Sequence, residues 1–241
     1  MIAPVSLLQA SLNAGRHWLR PSRTADDGAP ALPPALVPIR SLGPAYRERI
    51  AAHLLALDPE DRYLRFGYAA SDEQIRRYAQ ELDFARDEIF GIYNRRLELI
   101  AVAHLAYGRE PGQGSRAEFG VSVVKSARGR GYGARLFRRA MMHARNAGVA
   151  EIFIYALSQN GAMLSIARKA GATVQRDGSE AEAYLRLPPA DLDSRLSQLL
   201  EQQFAEVDYR LKVQAKHFWD AIGDVQEIRQ GVRDGRQRSG Q

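Results

Sequence analysis

The sequence predicts an α/β fold: a mixed, mostly antiparallel sheet flanked by helices, with a long C-terminal helix after it. Three observations predict it. Glu88–Tyr93 and Leu97–Tyr107 are β-rich segments joined by Asn94-Arg95-Arg96, and Glu118–Val124 comes next as a third, so the front of the sheet reads as antiparallel. One helical stretch, Tyr132 to Asn146, then separates Val123 from the β-rich Glu151–Leu157. Such a crossover joins parallel neighbours, which makes the sheet mixed. From Leu200 onward, apolar residues recur in alternating steps of four and three, a heptad seam.

The elements run in order from the N-terminus. Residues 1–35 read as an N-terminal appendage or linker: Val5 to Leu19 is a short amphipathic stretch, and the Pro-rich run Pro30 to Pro38 interrupts any regular element after it. Leu36–Arg40 is an edge-strand candidate, because Pro38 has no N–H for an interior ladder. Pro44–Leu57 reads as a helix. Asp58-Pro59-Glu60 opens another, with Asp58 as cap and Pro59 in the first turn. Ser71 and Gln74 have capping-box spacing and open a third. Gly148 ends the Tyr132–Asn146 helix, and Gly171 ends one over Asn160–Ala170. Thr173–Gln175 and Ala183–Leu187 make a last hairpin around Asp177-Gly178. The central domain is thus 36–188. Residues 189–241 hold the C-terminal amphipathic helix and a basic tail that reads as disordered. The seam runs Leu200, Phe204, Val207, Leu211, Gln214, Phe218, Ala221, Val225, Ile228 and Val232. It suits either a homodimer or docking on the chain's own domain, with Phe204 and Phe218 as anchors.

Composition excludes several chemistries. Cysteine is absent from the 241 residues, which removes disulfides, thiolate metal sites and a Cys nucleophile. Five scattered histidines offer no paired metal-ligand spacing, so no metal is expected. No apolar run reaches membrane-spanning length, and Met1–Ser6 lacks the pattern of a secretory signal, so a cytoplasmic location without membrane partners is expected. The formal net charge of +6 lies within residues 36–188. That suits nucleic acid or a phosphorylated ligand. Interleaved aromatic and basic residues of the RNP type are missing, which argues against nucleic acid.

The informative stretch is Val121-Ser122-Val123-Val124-Lys125-Ser126-Ala127-Arg128-Gly129-Arg130-Gly131-Tyr132-Gly133-Ala134. It places three glycines and two arginines between a strand and a helix. Glycines let a ligand approach the backbone, and the helix start offers unpaired N–H groups to an anion. Such a turn can cradle a pyrophosphate; the bland alternative is a tight strand–helix connection. It is neither a Walker turn, which ends in Gly-Lys-Ser/Thr, nor a Rossmann turn, whose glycines are spaced differently.

The motif Arg128-x-x-Gly131-x-Gly133 after Val121-x-Val123, with Asn160-Gly161-Ala162-Met163 and Gly171 further on, resembles the GNAT N-acetyltransferase superfamily. The element order from about Leu36 to Leu187 matches that family's fold. The resemblance implies acetyl-CoA as the acyl donor and an amine as acceptor, either a protein lysine or a small molecule. It implies pyrophosphate binding at Arg128, Gly129, Arg130, Gly131, Tyr132, Gly133 and Ala134. Pantetheine would pair with the backbone at Val121, Ser122 and Val123, and Asn160 would contact the cofactor. More narrowly, Ala117-Glu118-Phe119-Gly120-Val121 and Asp58–Phe66 are similar to the acetyltransferase domain of bacterial protein-lysine acetyltransferases.

Strand alternation separates Glu118, Gly120 and Ser122 from the apolar Phe119, Val121 and Val123. Glu118 therefore faces either a cleft or open solvent, and the resemblance implies a general base there. The position where the family often carries a Tyr acid is Ala167, which has no proton to give. The resemblance implies that Arg62, Arg65 and Phe66 border the acceptor groove, where they could select an acidic or carboxylate-bearing acceptor. Pairing of the two arginines with Asp58, Glu60 and Asp61 is the plainer expectation. The competing function is a catalytically silent acyl-CoA-binding regulatory module, which would not need the carboxylate of Glu118.

Overall fold

A computed structural model gives the structure of the chain and describes residues 37–108, 116–190, 195–196 and 198–216. The N-terminal appendage, the seam beyond residue 216 and the basic tail lie outside the described residues. The elements run β1 (Arg40–Ser41), α1 (Arg47–Leu55, entered through a 3-10 turn at Pro44–Tyr46), α2 (Pro59–Phe66), α3 (Asp72–Glu81), β2 (Glu88–Tyr93), β3 (Leu99–Tyr107), β4 (Arg116–Val123), α4 (Tyr132–Asn146), β5 (Glu151–Leu157), α5 (Gly161–Lys169), β6 (Thr173–Asp177) and β7 (Glu180–Arg186). A last helix, α6, covers residues 198–216.

The strands form one sheet in the order β1-β2-β3-β4-β5-β7-β6. Only β4 and β5 are parallel; every other pair is antiparallel. Alternation assigns the two faces. Phe90, Ile92, Ala101, Ala103, Leu105, Phe119, Ile152 and Ile154 pack with Leu136, Phe137 and Ala140 of α4 and Met163 and Ala167 of α5. Ile89, Leu99 and Val102 face the other way, onto Ile50 and Leu54 of α1 and Ile75 of α3. Helices α1 to α3 thus cover the β2–β4 half of one face, and α4 and α5 cover the opposite face.

Local sequence explains the helix ends. The Asp58 carboxylate accepts from the Asp61 N–H at 2.9 Å, Pro59 sits in the first turn, and Gly67 ends α2 in the left-handed region at φ 80°. Ser71 and Gln74 form the complete capping box of α3. Two boundaries differ from expectation. The edge strand begins at Arg40, beyond Pro38, so the proline stays outside the ladder. The last hairpin is longer than expected, pairing Thr173–Asp177 with Glu180–Arg186, and β7 lies between β5 and β6.

The seam of α6 does not make the contact expected of it. The helix docks on its own domain, but through a polar face. Arg40 donates to Glu206 at 2.7 Å and stacks 3.8 Å from the Tyr209 ring centre, while Lys212 reaches the Tyr93 carbonyl at 3.2 Å. Glu201 pairs with Arg139 of α4 at 3.3 Å, and Ala205 is buried. Leu200, Phe204, Val207 and Leu211 remain 71%, 42%, 55% and 60% exposed, so the described part of the seam faces outward.

Gln198 of α6 accepts from Asn146 at 2.6 Å and donates to His143 Nδ1 at 3.1 Å, which leaves the imidazole N–H on Nε2. Glu88 lies 3.4 Å from that Nε2. Burial of the ring, then the Arg139 guanidinium, nevertheless hold the His143 pKa down at about 4. Above pH 6.5 the ring is neutral in both folded and unfolded chains. As pH falls below that, the unfolded chain takes up a proton that the folded one refuses until about pH 4. His143 should therefore remove about 2 kcal/mol of stability between pH 7 and pH 5. His143→Gln should flatten the fall in unfolding midpoint over that range by a corresponding amount, as read by denaturant titration at the two pH values.

Candidate active site

The site begins where two parallel strands part. β4 pairs with β5 only through Arg116↔Glu151, Ala117↔Ile152 and Glu118↔Phe153. Beyond these, Phe119–Val123 keep their partners on β3, and Ile154–Leu157 keep theirs on β7, but the two strands no longer bond to each other. The split leaves backbone N–H and C=O groups facing one another across a slot, and such groups need partners when buried. A cleft of about 900 Å³ runs through it, walled by both strands, by the α2 end (Leu64–Tyr68), and by the starts of α4 and α5. An extended ligand carrying amides can pair with these strand edges as a further strand would.

At one end of the cleft lies the glycine turn. Gly129 and Gly131 sit at φ 75° and 73°, a region that favours glycine. Gly131 is the residue before α4 and has no side-chain cap. The first bond of the helix is Arg135 N–H to the Gly131 carbonyl at 3.1 Å. The N–H groups of Tyr132, Gly133 and Ala134 precede it and point out of the helix start, with the positive end of the dipole behind them. Arg128 lines the cleft, pairs with buried Asp61, and donates through Nε to the Val123 carbonyl at 3.2 Å.

At the other end, Glu118, Gly120 and Ser122 share the face covered by α1 to α3. Glu118 is exposed to the cleft and makes no hydrogen bond or ion pair with any described residue. Ser122 is buried against His53 of α1. The His53 Nδ1 lies 2.8 Å from the Leu99 carbonyl, which can only accept, so Nδ1 carries the proton. Burial holds the His53 pKa down, with the Leu99 carbonyl opposing and Arg65 adding to the depression, so the ring is neutral and its Nε2 accepts from the Ser122 hydroxyl at 2.9 Å. The hydroxyl hydrogen is thereby committed, and toward the cleft Ser122 can only accept.

The model of the acetyltransferase (GNAT) domain matches residues 39–173, more than half of the chain. The chain belongs to the GNAT acetyltransferase family. Among solved structures, it is similar to the GNAT domain of S. lividans PAT at 21% identity, covering 62% of this chain and 89% of that one, with a TM-score of 0.53. It is also similar to a spermidine N-acetyltransferase from Vibrio cholerae, solved with CoA and spermine, at 14% identity, 63% and 96% coverage and a TM-score of 0.50. A third is a putative acetyltransferase from Salmonella typhimurium solved with acetyl-CoA, at 15% identity, 64% and 96% coverage and a TM-score of 0.50. At these identities the likeness is one of fold. No curated protein matches the sequence significantly.

For a GNAT chain, most of the residues singled out by sequence come together. Glu118, Val121, Ser122, Val123, Arg128, Gly129, Gly131, Tyr132, Gly133, Ala134 and Asn160 all line the one cleft. Arg130 is exposed and outside its wall. Asn160 is partly occupied elsewhere: its side-chain oxygen caps α5 by accepting from Met163 N–H at 3.1 Å, and its amide reaches the Leu64 carbonyl at 3.4 Å. Arg62 pairs with Asp72 rather than with Asp58, Glu60 or Asp61, and Arg65 pairs with none of them. Sequence reasoning missed Tyr155 and Glu182. They face each other on β5 and β7 and line the cleft beside Glu118. Burial, then Glu182 and Glu118, push the Tyr155 phenol up, so it stays protonated. Among the described residues no cluster could hold a metal, and no described helix is long and apolar enough to cross a membrane.

Proposed function

We propose that the chain is an acetyl-CoA-dependent N-acetyltransferase that acetylates a primary amine, with a protein lysine as the first acceptor to test. The observation that carries this reading is the parting of β4 and β5 directly ahead of a glycine turn at a helix N-terminus. The donor pyrophosphate would lie on the Tyr132, Gly133 and Ala134 N–H groups. Its pantetheine amides would bond the free edge of Val121–Val123, which brings the thioester toward Glu118 and Gly120. Glu118 would take a proton from the acceptor ammonium, directly or through water. The freed amine attacks the thioester carbonyl, the N–C bond forms, the nitrogen gives up its second proton to solvent, and the C–S bond breaks as the thiolate leaves. Tyr155, two residues along β5 from the Phe153 that pairs with Glu118, is a protonated hydroxyl in the cleft wall and can return a proton to the thiolate, regaining one from solvent. This replaces the Tyr missing at Ala167, which is buried. Likeness to the S. lividans PAT domain supports a protein acceptor, and the acidic trio of Glu118, Glu180 and Glu182 in the cleft wall suits any cationic amine.

The outward seam of α6 supports a homodimer as the partner state. Leu200, Phe204, Val207 and Leu211 form an apolar stripe at heptad spacing that the domain leaves uncovered, and a second copy offers the same stripe. A Phe204→Glu and Leu211→Glu double variant should lower the mass seen by light scattering to that of one chain. A wild type that is already monomeric at high concentration removes the dimer.

Gly131→Asp tests the turn, because it adds both a side chain and a negative charge where the phosphates would sit. Nothing lies within 4 Å of its Cβ, and the strain of an Asp at φ 73°, about 1–3 kcal/mol, is read separately by thermal unfolding. Loss of one or two charge-assisted hydrogen bonds should weaken CoA binding by roughly tenfold or more, and calorimetry showing unchanged affinity in a folded variant would refute the placement. Glu118→Gln keeps the shape but cannot take a proton at working pH. Its turnover should fall by about a hundredfold to ten-thousandfold with CoA affinity intact. Near-normal turnover across pH would move the base elsewhere. Absence of thiol release from the wild type with every amine tried would favour the silent acyl-CoA-binding module.

A further inference from the structure

Besides the exposed Lys169, Arg65 is the cation in the cleft wall that no described carboxylate answers. Its neighbours are neutralised: Arg62 by Asp72, Arg128 by Asp61, and Arg86 by Asp87. Arg65 has no ion pair with any described residue, Glu118 included, and its hydrogen bond runs from Nη2 to the Tyr78 hydroxyl at 2.9 Å. The guanidinium is half-buried between the Phe66 and Tyr78 rings, 5.1 and 5.5 Å from their centres. Holding an unpaired charge there is costly, so a built arrangement must maintain it.

That arrangement can be traced atom by atom. The Asp87 carboxylate is buried, and burial alone would raise its pKa. Hydrogen bonds from Arg86, His104 and the Tyr107 N–H outweigh that and hold it below the usual range. As an anion it only accepts, so His104 Nε2, 3.1 Å away, carries a proton. Burial keeps His104 neutral against the pull of Asp87, so its Nδ1 is a lone pair that accepts from the Tyr78 hydroxyl at 2.7 Å. Tyr78 therefore has only its oxygen lone pairs to offer, and accepts from Arg65. These bonds fix Nη2 as donor to the protein and leave Nη1 and Nε free. Backbone space completes the setting: a Cβ at Gly120 would stand 2.7 Å from Nη2 and 2.9 Å from Nη1, so only a residue without one admits the guanidinium against β4.

The cleft is consequently polarised along β4. Glu118, with Glu182 on β7, makes an acidic side, and Arg65 lies over Gly120 on the α2 side. Glu118 and Gly120 are two residues apart on one strand face, or about 7 Å along it. A cation alone would satisfy the first side only. We propose that Arg65 binds a carboxylate on the acceptor, so that the substrate class is an amine bearing an acidic group, with its nitrogen at Glu118 and its carboxylate on Nη1 and Nε of Arg65. The inference rests on the acetyl-transfer reading above and adds the identity of the acceptor. The carboxylate can belong to a free amino acid or to an acidic residue beside a lysine in a peptide.

The test uses matched acceptors with the full chain: amino acids against their amides, and lysine peptides carrying a neighbouring Asp or Glu against the same peptides with Asn or Gln. Thiol release should give a KM roughly ten- to a hundredfold lower for the carboxylate member of at least one pair, with kcat little changed. The pair that responds identifies the source. Arg65→Gln, which can still donate to Tyr78, should abolish the difference, and Arg65→Lys should restore part of it. Calorimetric binding of the same pairs to the CoA-loaded protein reads the preference without turnover, and thermal unfolding confirms that each variant is folded. Equal KM and equal affinity within both pairs, or a preference that survives Arg65→Gln, overturns the inference while leaving acetyl transfer standing. Binding preference without thiol release from any amine supports Arg65 and removes acetyl transfer instead.

Discussion

The site depends on one constraint: β4 and β5 must lie side by side yet stop bonding after Glu118 and Phe153. Each strand satisfies that constraint by holding to its other neighbour. β4 stays registered on β3 as far as Val123, and β5 stays registered on β7 as far as Leu157. Neither strand needs the other, so the slot between them is stable although backbone groups on both edges lack partners. Polar groups in that position favour water or a ligand with matching amides. The same parting aims the open end of β4 at the glycine turn, because the chain passes from Val123 through the Lys125–Ala127 3-10 turn into the start of α4. Strand edge, anion site and cleft thus share one cause.

A second layer of polar contacts holds the acceptor side of β4 in shape. His53 ties α1 to the Leu99 carbonyl of β3 and to Ser122 of β4, and the His104 chain ties β3 to Asp87, Tyr78 and Arg65. Both histidines are kept neutral mainly by burial, and Arg65 lowers both. In each chain neutral imidazole fixes the direction of every bond: Ser122 gives its hydrogen to His53, and Tyr78 gives its hydrogen to His104. What remains facing the cleft is therefore determined as well, an acceptor at Ser122 and donors at Arg65. Polar networks of this kind specify one geometry, where apolar packing would tolerate several.

Most of the fold was legible because its signals are local. The Asp58-Pro59 cap, the Ser71/Gln74 box, the limits of Tyr132–Asn146 and the crossover to Glu151 all depend on residues within a turn or two of each other. Glu118 was separable from the apolar strand residues by alternation alone. The parts that were not legible depend on contacts distant in sequence. Tyr155 and Glu182 meet only because β7 lies against β5, and no spacing in the chain announces that order. Arg62 and Arg65 are three residues apart on one helix, with the same acids nearby in the chain. Arg62 finds Asp72 across the α2–α3 turn, whereas Arg65 points to Tyr78 and the bare backbone of Gly120. The purpose of Gly120 on β4 appears only once the guanidinium is seen against it.

The outward turn of the α6 seam goes with polar contacts on the inner face of the helix. Arg139 is almost wholly buried beneath α6, and its pKa is depressed by burial, with Glu201 opposing. Its Nη1 reaches Glu201 and the Gln198 carbonyl, while Nε and Nη2 have no partner among the described residues. A buried guanidinium that loses its partner is costly, about 3–5 kcal/mol for a buried pair. Turning Leu200 and Phe204 inward would carry Glu201 away from Arg139 and Gln198 away from His143. The observed rotation of the helix keeps those polar contacts and leaves the apolar stripe outward. Hydrophobic spacing is visible in the chain, so the stripe dominates any reading of the sequence alone. The buried arginine beneath α6 lies about sixty residues earlier, on the crossover helix α4.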